Sequence, residues 1–325
     1  MKRKIGEITG LTLTMCGSMV FAGDEGHWDL LTDFVYMERY HVKDQTIAVR
    51  TPRCANCADK PTLNVKDLAS GFGFEPGFHV ALSYMQDPRS SYEAGFVYLW
   101  EWENTKTVTS KISNLSFPFN RDSFAPSFLE LDKLEAFYSS KFYTAELNYA
   151  KAFSESRHSY LSLSGIAGLR FAHLGERFSI TAFSGSNFGE YDIKTHNDLI
   201  GIQLGFAFQI NAMKGLHWDL DGKVGVGLNR IDVKTYLADQ NRTVELRNFT
   251  KQDWQQNIFA EVSVGTGYRV LPYLDLHAGY DMLYFCGLAL APDQIDTTVR
   301  TATLNINNNG YVIVHGIFVG CTFSF

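Results

Sequence analysis

The chain lacks any run of the ~18–20 apolar residues that a helix needs to cross a bilayer. Its mean hydropathy of −0.12 would fit a protein in water. Basic residues do not predominate either: 29 Lys and Arg stand against 35 Asp and Glu. That balance argues against a nucleic-acid partner, because phosphate backbones are held by clustered cations. Phosphate-binding loops are also missing. Gly71-Phe-Gly73 and Gly225-Val-Gly227 are followed by no Lys-Ser/Thr pair, and glycine in a strand more often marks a bend or close packing.

Aromatic residues and glycine are plentiful, with 25 Phe, 16 Tyr and 27 Gly. A membrane β-barrel escapes hydropathy scans because its apolar residues alternate with polar ones. The C-terminal stretch shows that alternation most clearly. Read backwards, Phe325, Phe323, Cys321, Val319, Ile317, Ile313 and Tyr311 occupy every second position, with His315 as the polar member. Alternate side chains of a strand point to opposite faces. The stretch is about 15 residues long, against about 5–6 for an ordinary strand and about 9–11 for one that crosses a bilayer. It reads as the closing strand of an outer-membrane barrel, with Phe325 as the terminal aromatic that barrel-assembly machinery would engage.

The N-terminus reads as a signal peptide over residues 1–22. Lys2, Arg3 and Lys4 precede an apolar stretch, and Val20-Phe21-Ala22 places small residues for cleavage after Ala22. Met15 before Cys16 argues against lipid attachment there. Residues 23–325 would form the barrel in a bacterial outer membrane. Export permits disulfides. Cys54 and Cys57 are the one close pair, open to three readings: a loop-stapling disulfide, half of a metal site lacking two ligands, or a redox pair without its usual βαβ setting. Cys286 and Cys321 fall near opposite ends of neighbouring strands, too far apart to pair.

Alternation elsewhere predicts an all-β, transmembrane, antiparallel up-and-down barrel of ten strands, over about 30–41, 74–85, 91–103, 134–150, 160–173, 199–210, 216–230, 255–268, 273–285 and 311–325. Short turns fall near 86–90, 154–158, 211–215 and Pro272. Long connections span 42–72, 104–133, a region around 184–189, 232–254 and 286–310. Short periplasmic turns and long surface loops are the asymmetry of bacterial barrels. Pairing of residues 176–196 as a further hairpin would make twelve strands.

The same parity assigns lumen-lining residues: Glu93, Glu101, Glu146, Arg170, Asp219, Asp221, Lys223, Glu261, Asp275 and Asp281, together with Asp33 and Arg39. Acids outnumber bases, so an open lumen would attract cations. The alternative is a hydrogen-bonded plug, because small barrels have interiors wide enough only for side chains.

Four segments carry a resemblance: Gly168-Leu-Arg-Phe171 with Glu176; Asn197-Asp-Leu-Ile-Gly-Ile-Gln-Leu-Gly205; Gly287-Leu-Ala-Leu-Ala-Pro-Asp-Gln-Ile295; and His315-Gly-Ile-Phe-Val-Gly320 with terminal Phe325. Together they resemble the planctomycete-type outer-membrane β-barrel proteins, which are similar to the Legionella-type pore-forming major outer-membrane proteins. The resemblance implies an exported barrel and pore formation, and supplies no catalytic residue.

The expected function is therefore a narrow passive pore with cation preference, whose partners are membrane lipid and small ions or solutes. No cofactor, metal or enzymatic activity is expected. The alternative is a closed barrel that anchors its loops at the surface. A barrel enzyme is the third class, with His173–Glu176 and His196–Asp198 as rim pairs, although Asn197-Asp198 also reads as a turn cap.

Overall fold

The computed structural model describes residues 26–325 apart from 41, 52–57, 88, 120–124, 154–159, 214 and 300–304. The expected signal peptide, Cys54 and Cys57, and the expected turn at 154–158 lie outside the described residues.

The chain runs through β1 (His27–Tyr40), β2 (Thr46–Arg50), β3 (Lys60–Asn64), α1 (Val65–Ala69), β4 (Glu75–Asp87), β5 (Ser90–Thr109), β6 (Leu115–Ser116), β7 (Lys133–Ala152), β8 (Leu161–Ser184), β9 (Asn187–Met213), β10 (Leu216–Asp239), β11 (Val244–Leu271), β12 (Leu274–Leu288) and β13 (Gly310–Ser324). Ten of these strands close an antiparallel barrel in the order β1-β13-β12-β11-β10-β9-β8-β7-β5-β4. The closing pair, β1 and β13, runs from Asp29↔Ser324 to Tyr40↔Ile313. Phe325 extends it, its N–H donating to the Trp28 carbonyl at 2.8 Å. Strands β2, β3 and β6 form a small separate sheet within the loops at the opposite end from the termini.

The outward side chains explain why the sheet closes. Over residues 161–171, 200–210, 218–228 and 258–268 the outer face is apolar apart from Thr266. Each band is about 11 residues, the length a tilted strand needs to cross a bilayer. Leu204 is 65% exposed, Ile202 63% and Val224 62%, a continuous apolar surface that only lipid can cover.

Above this band the polarity of the two faces reverses. Outward positions become Arg177, Lys194, Asp232 and Lys234, while the inward positions Leu174, Phe178, Ile180, Tyr191, Ile193 and Leu237 are buried. Strands whose outer face meets water look polar in sequence, and so were expected to be loops. Instead β8 and β9 stay paired up to Ser184↔Asn187, where Gly185 takes the turn at φ 59°. Strands β10 and β11 pair up to Asp239↔Val244. The expected third and fourth long connections are thus the tops of two tall hairpins. Residues 176–196 lengthen two existing strands, so the barrel has ten strands and not twelve.

A bulge corrects a second expectation. The pairing of β5 with β7 shifts register between Leu99 and Trp102. The extra residue swaps the faces that follow. Trp102, which unbroken alternation from inward Glu93 and Glu101 would place outside, points inward at 0% exposure, and its indole donates to the Met37 carbonyl at 3.3 Å. Glu101, expected in the lumen, is exposed.

The main core is continuous from the upper barrel wall into the loops. It joins Leu99, Trp102, Leu134, Tyr138 and Phe178 to Ile47, Leu68, Leu115, Phe117, Phe128 and Leu131. The described parts of the expected long loops 42–72 and 104–133 are therefore a packed cap. Cys286 and Cys321 are free, as their spacing required. Trp102→Ala should cost about 3–5 kcal/mol, as for a buried Trp, whereas Trp100→Ala, on the outer face, should cost far less. Urea unfolding from lipid vesicles measures both, and equal losses would place the bulge elsewhere.

Candidate functional site

Within the band the inward positions mix polar and apolar side chains, and the barrel brings the polar ones together in layers. At mid-height Glu146 on β7, Arg170 on β8, Lys223 on β10 and Glu261 on β11 form a ring of alternating charge. Arg170 donates to Glu146 at 2.5 Å and also to Glu261; Lys223 donates to Glu146 at 2.6 Å and to Glu261 at 3.1 Å. Gln203 on β9 braces it, accepting from Arg170 at 2.9 Å and donating to Glu146 at 2.9 Å and to Asn148 at 2.6 Å. Asn148 in turn donates to Glu93 at 3.1 Å. Two cations against two carboxylates make the ring neutral, and each charge has more than one partner.

Beneath the ring lies a cavity of about 460 Å³ that takes in Glu93, Asp219, Asp221, Asp275 and Asp281. Three histidines outside the expected lumen-lining set also reach it. His277 and His79 flank Asp33 at 2.6 and 3.0 Å, and His217 lies 3.2 Å from Asp219 and 3.7 Å from Asp275. Their inward parity was legible, but no spacing linked them. Acids outnumber bases among the residues that line the cavity.

Above the ring the interior is apolar. The Phe142 and Phe285 ring centroids are 5.5 Å apart, and those of Phe259 and Phe285 6.0 Å. Strands β7 and β12 lie five apart in a ring of ten, so Phe142 and Phe285 meet across the barrel axis. All three rings are at most 2% exposed.

A second polar layer then latches a loop into the barrel. Arg39 donates to Glu176 at 2.5 Å, both side chains being 0% exposed. Tyr138 and Ser140 also donate to Glu176, at 3.0 and 3.3 Å. The other Glu176 oxygen accepts the Ala291 N–H at 2.9 Å. Asn197 exchanges two hydrogen bonds with the Ala289 backbone, at 2.9 and 3.0 Å, and Asn229 donates to the Gly287 carbonyl at 2.9 Å. Gly287 makes the inward bend possible at φ 75°, where an added Cβ would lie 2.4 Å from the Gln256 carbonyl oxygen. Residues from three of the resembling segments thus meet in one place.

Of the rim pairs expected from sequence, His173–Glu176 does not assemble, whereas His196 and Asp198 share the outer face of β9. On β8 odd positions face out and even positions in, so His173 is outside while Glu176 is inside. His173 instead pairs with Asp198 across the outer face at 2.6 Å, stacked on Tyr143 at 4.7 Å. Asn197 is buried in the middle of a strand and caps no turn. Among the described residues no group of three or more His, Cys, Asp or Glu could hold a metal ion.

A lipid-facing band, short turns on the side of the termini and a polar lower lumen define an outer-membrane β-barrel, with the cap on the external side. The family described as "Putative beta barrel porin-7 (BBP7)" matches residues 132–325, more than half of the chain. The chain belongs to that family. The outer membrane protease OmpT from Escherichia coli is 12% identical, covering 95% of this chain and 99% of its own, with a TM-score of 0.46. A FadL homologue from Pseudomonas aeruginosa is 8% identical over 93% of this chain and 90% of its own, at a TM-score of 0.25. An anion-selective porin from Comamonas acidovorans is 9% identical over 93% and 100%, at 0.23. None of these is similar enough to lend this chain its activity. No curated protein matches the chain by sequence.

Glu176→Ala leaves the Arg39 charge buried without its carboxylate, which should cost about 3–5 kcal/mol. The same vesicle-unfolding assay reads it, and a loss under ~1 kcal/mol, the worth of a surface pair, would show that the pair is wet. Burial, with the Glu176 charge adding to it, holds the Asp293 carboxyl in the latched loop above its usual range. Its contribution to docking is full below the ordinary carboxylate pKa and is lost as pH rises through the raised value. The protection factor of the Ala291 amide, its exchange rate taken against the intrinsic rate at each pH, should therefore fall as the pH is raised above 4, and Asp293→Asn should remove that fall.

Proposed function

We propose that this protein is a closed barrel that anchors its packed outer cap at the cell surface and conducts nothing in the conformation described. The observation that carries this reading is the contact of Phe142 with Phe285 across the barrel axis, at 5.5 Å. The latch around Glu176 and Asn197 supports it, because it holds the loop between β12 and β13 inside the wall. The anchor reading makes the cap the working part, and its partner would be met at the external surface.

A second reading is a narrow passive pore with cation preference. The family description and the resemblance to planctomycete-type and Legionella-type proteins favour it, as does the acidic cavity. Conduction would then require the latched loop to leave the lumen. Catalysis has less in its favour, since His173 and Glu176 lie on opposite faces of β8.

Single-channel recording of the refolded chain in asymmetric KCl separates the two main readings. The anchor predicts a silent, folded barrel. Steady openings with a cation-selective reversal potential would overturn it, and Asp221→Lys with Asp281→Lys should then shift that potential towards anions.

A further inference from the structure

Above the apolar band, the outer face of β8 and β9 brings two histidines together over a glycine. Register sets His173 opposite Asp198 and Gly175 opposite His196. The His173 and His196 ring centroids are 5.9 Å apart, with their planes tilted by 35°. Gly175, on the same face, puts no side chain between them. A Cβ added there would stand 3.1 Å from His173 Nε2 and 3.5 Å from His196 Nδ1. Both nitrogens therefore converge on one gap. Among the described residues neither of them has a hydrogen-bond partner.

The surroundings of the gap prepare it for a metal ion. Asp198 Oδ1 lies 2.6 Å from His173 Nδ1. A carboxylate there accepts the Nδ1 proton and leaves the lone pair on Nε2, the arrangement that orients metal-binding histidines. Tyr143 stacks on the same ring with the planes 19° apart, so its orientation is set before anything binds. His196 is exposed and free to swing towards it. Zinc–nitrogen bonds are about 2.0–2.1 Å, so each ring has to close on the gap by only about 1–1.5 Å. Asp232 stands opposite His196, and its Oδ1 has no hydrogen-bond partner. The cations nearby are turned aside or matched. Lys141, opposite Gly175, lies over the Tyr98 ring at 5.6 Å. Asp192 holds Arg177 and Lys194. Arg230 and Lys234 are equalled in number by Asp198 and Asp232.

We propose that His173 Nε2 and His196 Nδ1 bind a divalent transition-metal ion of the zinc and copper class, with Asp198 as the positioning residue for His173. Water completes the coordination shell, and the unpartnered Asp232 oxygen can accept a hydrogen bond from it. Two protein ligands make an open site, reached from outside the barrel and independent of whether the lumen conducts. Imidazole selects these metals, whereas Ca²⁺ and Mg²⁺ require oxygen ligands and should not bind.

The test is equilibrium dialysis of the refolded chain in detergent, without a polyhistidine tag, against Zn²⁺ near neutral pH. Wild type should show a saturable site that His173→Ala and His196→Ala each remove. Asp198→Ala should weaken it about 10–100-fold, as the loss of a carboxylate behind a metal-binding histidine does. His315→Ala, on β13, should leave it unchanged. All these side chains face outward, so the variants should fold, as checked by heat-modifiable gel mobility. Cu²⁺ bound to wild type should show imidazole nitrogen coupling by electron paramagnetic resonance, and the double variant His173→Ala, His196→Ala should lose that signal. A Zn²⁺ isotherm unchanged in the double variant would overturn the proposal. So would the absence of saturable binding in wild type, or uptake of Ca²⁺ equal to that of Zn²⁺.

Discussion

The ring of Glu146, Arg170, Lys223 and Glu261 is what the interior depends on. A ten-stranded barrel has room inside for little more than side chains. Charges placed there lose water, and an isolated one is far too costly to keep. Alternation along the strands spaces the two signs so that each cation touches both carboxylates. The ring therefore joins four strands through its own hydrogen bonds, and the Arg170 guanidinium lies 5.6 Å from the centre of the Phe259 ring above it. An apolar layer can begin directly over a neutral, satisfied one.

That layering reflects a change of solvent outside. Within the bilayer the apolar face must point out, which leaves the polar residues inside. Beyond the bilayer the strands continue in water and the preference inverts. The upper barrel then has the organisation of a soluble protein, with Trp102, Tyr138, Phe178 and Tyr191 buried and the loops completing its core. Closure of the lumen follows from this inversion. Once the inner face is apolar it collapses on itself, and Phe142 and Phe285 meet across the axis.

The strand count and the lipid-facing set were legible, because period-two alternation is local. Phe78, Leu169, Ile202 and Val226 needed nothing beyond their neighbours in sequence. The tall hairpins were missed for the same reason: Arg177, Lys194 and Lys234 look like loop residues when lipid is assumed to be the only exterior. One bulge was enough to misplace Glu101 and Trp102, since a single extra residue reverses every later facing. Glu176 and Asn197 stood within the resembling segments, but a rim pair and a turn cap were plausible local roles for them. Their partners, Arg39, Ala289 and Ala291, are about 90 to 140 residues away in the chain.

The sequence by itself determined that this chain is a membrane barrel, because alternation, aromatic content and connection lengths are properties of short windows. It also determined which side chains could enter the lumen, within the limits set by bulges. Only the tertiary structure decided that the lumen is closed, since closure depends on which inward residues face one another across the axis. Barrel order and register bring β7 opposite β12 and Glu176 beside Arg39. Distances through space of this kind are not encoded in any local pattern.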